Sequence, residues 1–119
     1  MSVPARILLV DDAEGVRLTL AALLEDAGHQ VVEAASLASA REQARGGGFD
    51  LAVVDLNLPD GRGTELIAEL EREHPRTVAV LLSGDGGAGA AGAALSLAKS
   101  GEPGELLAQL EQVLERARR

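Results

Sequence analysis

The chain predicts an α/β fold: a parallel sheet wound on both faces by helices. Short runs rich in Val, Ile and Leu recur at residues 7–10 (ILLV), 51–54 (LAVV) and 77–82 (TVAVLL). Runs of this kind read as strands buried on both faces. Between them, apolar residues repeat at helical spacing, so strand and helix patterns alternate. Such alternation implies right-handed βαβ crossovers and a sheet covered on both sides. A third observation concerns strand ends. Residues 7–10 run into Asp11 and Asp12, residues 51–54 into Asp55, and residues 95–98 into Lys99.

Each element follows from local chemistry. After the first strand, Val16, Leu20, Leu23, Leu24 and Ala27 mark one helical face, and Gly28 supplies the stop. Residues 29–34 (HQVVEA) read as the second strand. Ser36 is placed to cap a helix through about Ala44, closed by Gly46, Gly47 and Gly48. The third strand ends at Asp55, and residues 59–63 (PDGRG) are turn chemistry. The helix after that turn should bury Leu66, Ile67 and Leu70, and Pro75 ends it. The fourth strand follows at residues 77–82. Five glycines fall within residues 84–94, each costing about 1 kcal/mol against alanine inside a helix. The fourth helix is therefore expected to be shortened or disordered, leaving a mobile loop before the fifth strand. The last helix opens near Pro103 and carries the stripe Leu106, Leu107, Leu110, Val113 and Leu114.

The 119 residues fit a single domain, 1–119, with an aliphatic core, since 46% are hydrophobic and Phe49 is the one aromatic. A net charge of −8 offers no basic face for nucleic acid. Arg116, Arg118 and Arg119 suit the negative end of the last helix. The absence of cysteine excludes disulfide and thiol chemistry. No apolar segment reaches membrane-spanning length, and none near Met1 makes a signal peptide. A cytoplasmic protein without a membrane partner is the expectation. His29 and His74, beside a glycine and a proline, read as exposed turn residues without metal-ligand spacing.

In open α/β sheets, chemistry gathers beyond the carboxyl ends of the strands, where the winding reverses. Asp11, Asp12 and Asp55 would meet there, with Lys99 as counter-ion. Three crowded carboxylates repel one another and destabilise an empty site. Mg²⁺ would relieve that, because it takes oxygen ligands from one or two carboxylates together with phosphate oxygens. Asn57, two residues beyond Asp55, could add its backbone carbonyl. A carboxylate so placed can attack a phosphoryl group while metal and lysine screen the charge, and the Ser83 hydroxyl could bond the same oxygen. Each residue has an ordinary alternative. Asp12 could cap the following helix, Lys99 could be solvated, and Ser83 could be a turn residue.

Taken together, residues 7–12 (ILLVDD), residues 54–61 (VDLNLPDG), Ser83-Gly84 and Lys99 resemble the receiver domains of two-component response regulators. The likeness spans nearly the whole chain. It implies the flavodoxin-like fold, with five strands in the order 2-1-3-4-5. By that likeness Asp55 is the phospho-acceptor, a signalling site that phosphorylates and dephosphorylates itself rather than an enzyme acting on a substrate. Asp11, Asp12 and Asp55 hold Mg²⁺ with the Asn57 carbonyl, and Ser83 and Lys99 bind the phosphoryl oxygens. The donor is a phosphohistidine on a sensor histidine kinase or phosphotransfer protein, and the output is an altered contact with a downstream protein.

The chain departs from the family pattern at three places. Ser100 follows the lysine where receivers usually place a cis-proline, and a non-proline cis bond costs about 2.5–4 kcal/mol. Ser96 stands where an aromatic switch residue is common, and the Ser83-to-Lys99 interval is short. The phosphorylation site thus looks intact while the reporting surface looks rebuilt. Asn57 and Asp85 would flank the path of attacking water, which suggests a short-lived aspartyl phosphate.

Three competing functions fit less well. Residues 84–89 match G-x-G-x-x-G, but a dinucleotide site needs that motif in the first βα unit with a firm helix behind it. An aspartate phosphohydrolase usually has a second acid two residues after its nucleophile, where Asn57 stands. A receiver-like interaction module that docks independently of phosphorylation accounts for the departures but not for the full acidic set.

Overall fold

A computed structural model describes residues 4–83, 95–98 and 102–117. Strand β1 (Arg6–Val10) leads to helix α1 (Glu14–Asp26), strand β2 (Gln30–Ala34), helix α2 (Leu37–Ala44) and strand β3 (Leu51–Asp55). A short hairpin of β4 (Asn57–Leu58) and β5 (Gly61–Arg62) precedes helix α3 (Gly63–Glu73). Strands β6 (Val78–Ser83) and β7 (Leu95–Ala98) and helix α4 (Pro103–Ala117) complete the chain. The main sheet runs β2-β1-β3-β6-β7, every pairing parallel. Counted along the chain, that is the order 2-1-3-4-5. The fold is a doubly wound, flavodoxin-like α/β sheet.

Alternation along the strands divides the core into two layers. Ile7, Leu9, Leu51, Val53, Val80 and Leu82 pack with Leu20, Leu24, Leu106, Leu110 and Leu114 of α1 and α4. Leu8, Val10, Ala52, Val54 and Leu81 face the other way, onto Leu37 and Ala40 of α2 and Leu66, Ile67 and Leu70 of α3. Because both faces are covered, the central strands are apolar at consecutive positions, and all five residues of β3 are buried. Covering both faces also forces the winding to reverse between β1 and β3, and that reversal opens the cleft where the acidic residues emerge.

Local signals set most of the boundaries. Gly28 stops α1 with φ +99°, while its amide and that of His29 bond the carbonyls of Glu25 and Leu24. Ser36 caps α2 through its side chain, which accepts from the Ser39 amide at 3.1 Å. The expected stripe of α4 is present: Leu106, Leu110 and Leu114 are buried, with Leu107 and Val113 packed at its margin.

Three sequence expectations need correction. Val16 lies off the buried face of α1 at 41% exposure, and Ala21 takes the core position instead. His29 is not an exposed turn residue, since its side chain is fully buried. Its Nδ1 accepts the Ala5 amide at 3.0 Å, so Nε2 carries the proton donated to Glu111 Oε1 at 2.9 Å. The turn at Gly28 sets the imidazole against Glu111 of α4, a long-range contact that neighbouring residues do not signal. His74 is half-buried at the end of α3. Residues 84–94, where a shortened or disordered fourth helix was expected, lie outside the described residues, as do Asp85, Lys99 and Ser100.

Candidate functional site

Register places the acidic residues. Val10 pairs with Val54 across β1 and β3, so Asp11 and Asp55 emerge side by side at the strand ends, one strand spacing apart. Both are buried, at 1% and 5% exposure. Asp12, one step further, is exposed. One carboxylate oxygen from each of Asp11, Asp12 and Asp55 lies within 4.8 Å of the others. Sequence reasoning brought these three together, and the fold does so.

Neighbouring groups hold Asp11 at several points. Its amide donates to the Ala34 carbonyl at 3.0 Å, and its Oδ1 accepts the Ala13 amide at 2.9 Å. Its carbonyl accepts Arg17 Nη1 at 2.8 Å. Arg17 Nε in turn donates to Glu33 Oε1 on β2 at 3.0 Å. The N-cap of α1 is Ala13, with no side-chain capping bond. Asp12 is therefore not spent on capping, and the ordinary reading of that residue fails.

The segment after Asp55 is equally constrained. Leu56 donates its amide to the Leu82 carbonyl on β6, and Gly63 donates to the Leu56 carbonyl, both at 2.8 Å. Helix α3 starts so close to β3 that a Cβ on Gly63 would collide with the Asp55 carbonyl and press on Val54 Cγ1. Glycine is required there by proximity. Asp60, at the tip of the β4–β5 hairpin, accepts the amides of Leu37 and Ala38 at 2.8 and 3.0 Å. Those backbone donors, together with the positive charge of Arg41, hold its carboxyl below the usual range. The loop after Asp55 is thus tied to the first turn of α2. Arg17, Asp60 and Gly63 were not singled out from sequence, because their roles depend on partners distant along the chain.

Asn57 is exposed and pairs with Arg62 in the hairpin. Ser83 ends β6, in register with Ala98, the last residue of β7. Lys99 lies outside the described residues.

The donor set fits a hard divalent cation. Opposite oxygens around Mg²⁺ sit roughly 4.2 Å apart, given metal–oxygen distances of about 2.1 Å. A spread of up to 4.8 Å is within a small adjustment, or one bridging water, of that octahedron. Three carboxylates without sulfur or imidazole favour magnesium-like over zinc-like chemistry.

Comparison with known proteins agrees with this geometry. Residues 7–111 match the family model described as the response regulator receiver domain. The chain belongs to that family. Among curated relatives, the sensor kinase CckA of Brucella abortus (strain 2308) is 36% identical over 86 residues, covering 71% of this chain and 9% of the kinase. The chain spans only 9–18% of the length of the first such relatives. Among solved structures, a CheY-like receiver domain from Methanospirillum hungatei JF-1 superimposes with a TM-score of 0.89 at 27% identity, covering 98% of each chain. The non-phosphorylated HemR receiver domain of Leptospira biflexa is 34% identical with a TM-score of 0.85, covering 92% of this chain and 94% of that one. This receiver domain therefore combines the family's fold with an acidic cluster able to hold a metal. No helix among its described residues is long and apolar enough to cross a membrane.

Proposed function

We propose that this receiver domain accepts a phosphoryl group on Asp55 in a Mg²⁺-dependent transfer and signals by changing its contacts with another protein. The observation that carries the reading is the convergence of Asp11, Asp12 and Asp55 within 4.8 Å at the strand ends. Residues 1–119 would act as one unit, in the cytoplasm. The donor would be a phosphohistidine on a sensor histidine kinase or phosphotransfer protein.

In the transfer, an Asp55 carboxylate oxygen forms the new bond to phosphorus as the phosphorus–nitrogen bond to the donor imidazole breaks. The electron pair leaves with the imidazole, which takes up a proton. Asp11, Asp12 and Asp55 would hold Mg²⁺ with the Asn57 carbonyl. When bound, the ion supplies charge screening between the carboxylates and the incoming phosphoryl oxygens. Ser83 and Lys99 would bind those oxygens, the lysine as a compact point charge. Burial of Asp55 limits water around the attacking oxygen. The hydrogen bonds around Asp11 and Leu56 pre-organise the neighbouring backbone. Asn57 and Asp85 would admit the water that later cleaves the acyl phosphate.

Incubation with acetyl phosphate and Mg²⁺, read by intact mass, tests the reading. Wild type should gain one phosphoryl group, and Asp55→Ala should gain none. Equal labelling of both, or of neither, would overturn it, the latter in favour of docking that ignores phosphorylation.

A further inference from the structure

We infer that Arg17 is a positioning residue for the acidic cluster: it fixes the peptide joining Asp11 to Asp12 and so sets where the Asp12 carboxylate lies. The inference rests on the Mg²⁺ reading above and extends it to a side chain that touches neither metal nor phosphoryl group.

Asp12 is the exposed member of the three. Its position depends on the backbone that carries it. That backbone is held on its amide side by Ala34 and through the Asp11 carboxylate by the Ala13 amide. The carbonyl of Asp11 belongs to the very peptide that leads into Asp12, and Arg17 holds it at 2.8 Å. The guanidinium has two arms at work. Nη1 grips the carbonyl, and Nε grips Glu33 on β2 at 3.0 Å, so the carbonyl is braced against the sheet. The arginine side chain is only 16% exposed, which limits its alternatives. Its amide also bonds the Ala13 carbonyl in the first turn of α1. One residue therefore ties the strand end, the helix start and the neighbouring strand together. A rigid fork suits this task, whereas an ammonium group cannot span both acceptors in the same geometry.

Charge and positioning make opposite predictions. Arg17 is a cation near a site for a dication. If it acted through charge alone, removing it would tighten Mg²⁺ binding. If it acts by position, removing it weakens binding, because one ligand is no longer held in place.

The test is a Mg²⁺ titration of the full chain, followed through the ¹⁵N–¹H resonances of Asp12 and Ala13. Wild type should show saturable shifts. Arg17→Met should raise the dissociation constant about tenfold, the low end of what losing an outer-shell partner costs a metal site. Arg17→Lys, which keeps the charge, should recover only part of that loss. In the metal-free protein, the Asp12 amide of Arg17→Met should show a lowered order parameter, while amides of β3 and β6 keep theirs. Glu33→Gln loosens the brace with Arg17 in place and should weaken binding less than Arg17→Met. It also keeps the test decisive if Arg17→Met fails to fold. Unchanged or tighter binding in both Arg17→Lys and Glu33→Gln would overturn the role of Arg17 while leaving the metal reading intact. A wild-type Asp12 amide that ignores Mg²⁺ would overturn both.

Discussion

Replacing Asp55 by Asn should stabilise the metal-free protein, although it removes the group proposed to react. Three carboxylates converge within 4.8 Å, and Asp55 takes part in two of the three pairs. At that separation two unit charges repel by about 3.5 kcal/mol at an effective dielectric of 20, and by about 0.9 kcal/mol in bulk water. The buried Asp11–Asp55 pair lies nearer the first limit, and the pair with exposed Asp12 nearer the second. Allowing for the other interactions of Asp55, a net gain of about 1–2 kcal/mol is expected. For a domain of this size that corresponds to roughly 4–8 °C in melting temperature. The assay is thermal unfolding of both proteins in chelator and in Mg²⁺. In chelator, Asp55→Asn should melt higher. In Mg²⁺, wild type should rise to or above the variant, since a ligand at 100 times its dissociation constant adds about 2.7 kcal/mol. A variant that melts no higher than wild type in chelator, with wild type indifferent to Mg²⁺, would refute the electrostatic reasoning.

Further predictions concern the scaffold around the site. Gly63→Ala forces a methyl group against the Asp55 carbonyl, a backbone atom that cannot swing aside. It should cost about 3 kcal/mol or more by overpacking, measurable by urea unfolding. Asp60→Asn should lower stability at neutral pH by weakening the bonds to the Leu37 and Ala38 amides. The folded-state pKa of Asp60 is depressed, so its contribution is present above the ordinary value of 3.8 and lost as pH falls through the folded value. Melting curves of wild type and Asp60→Asn should therefore converge under acid; a gap that persists there would contradict the assignment. His29→Leu removes the acceptor of the Ala5 amide and the donor to Glu111 Oε1 and should destabilise by about 1–3 kcal/mol. A neutral result in chemical denaturation would mean that the buried imidazole is dispensable.

Much of this architecture is legible in the sequence because it rests on local rules. Consecutive apolar residues mark strands buried on both faces. Gly28, Ser36 and Pro75 punctuate the helices, and charged residues at strand ends mark the edge where chemistry collects. Asp11, Asp12 and Asp55 come together because parallel register carries adjacent strand ends to one place. What escaped notice depends on partners far along the chain. His29 looks like a turn residue beside Gly28 until Glu111 and Ala5 close over it. Asp60 looks like ordinary turn chemistry, yet it caps a helix that begins 23 residues earlier. Val16 has the right spacing for a buried stripe, but α1 buries Leu20, Ala21 and Leu24 and leaves Val16 exposed.

The central claim, that Asp55 itself receives the phosphoryl group, is open to direct chemical mapping. Wild-type protein treated with acetyl phosphate and Mg²⁺ would be reduced with borohydride, which converts an acyl phosphate of aspartate to homoserine, and sequenced by peptide mass spectrometry. The account predicts homoserine at position 55, and only when Mg²⁺ is present. Modification at Asp11, Asp12 or another carboxylate, with residue 55 recovered as aspartate, would contradict it.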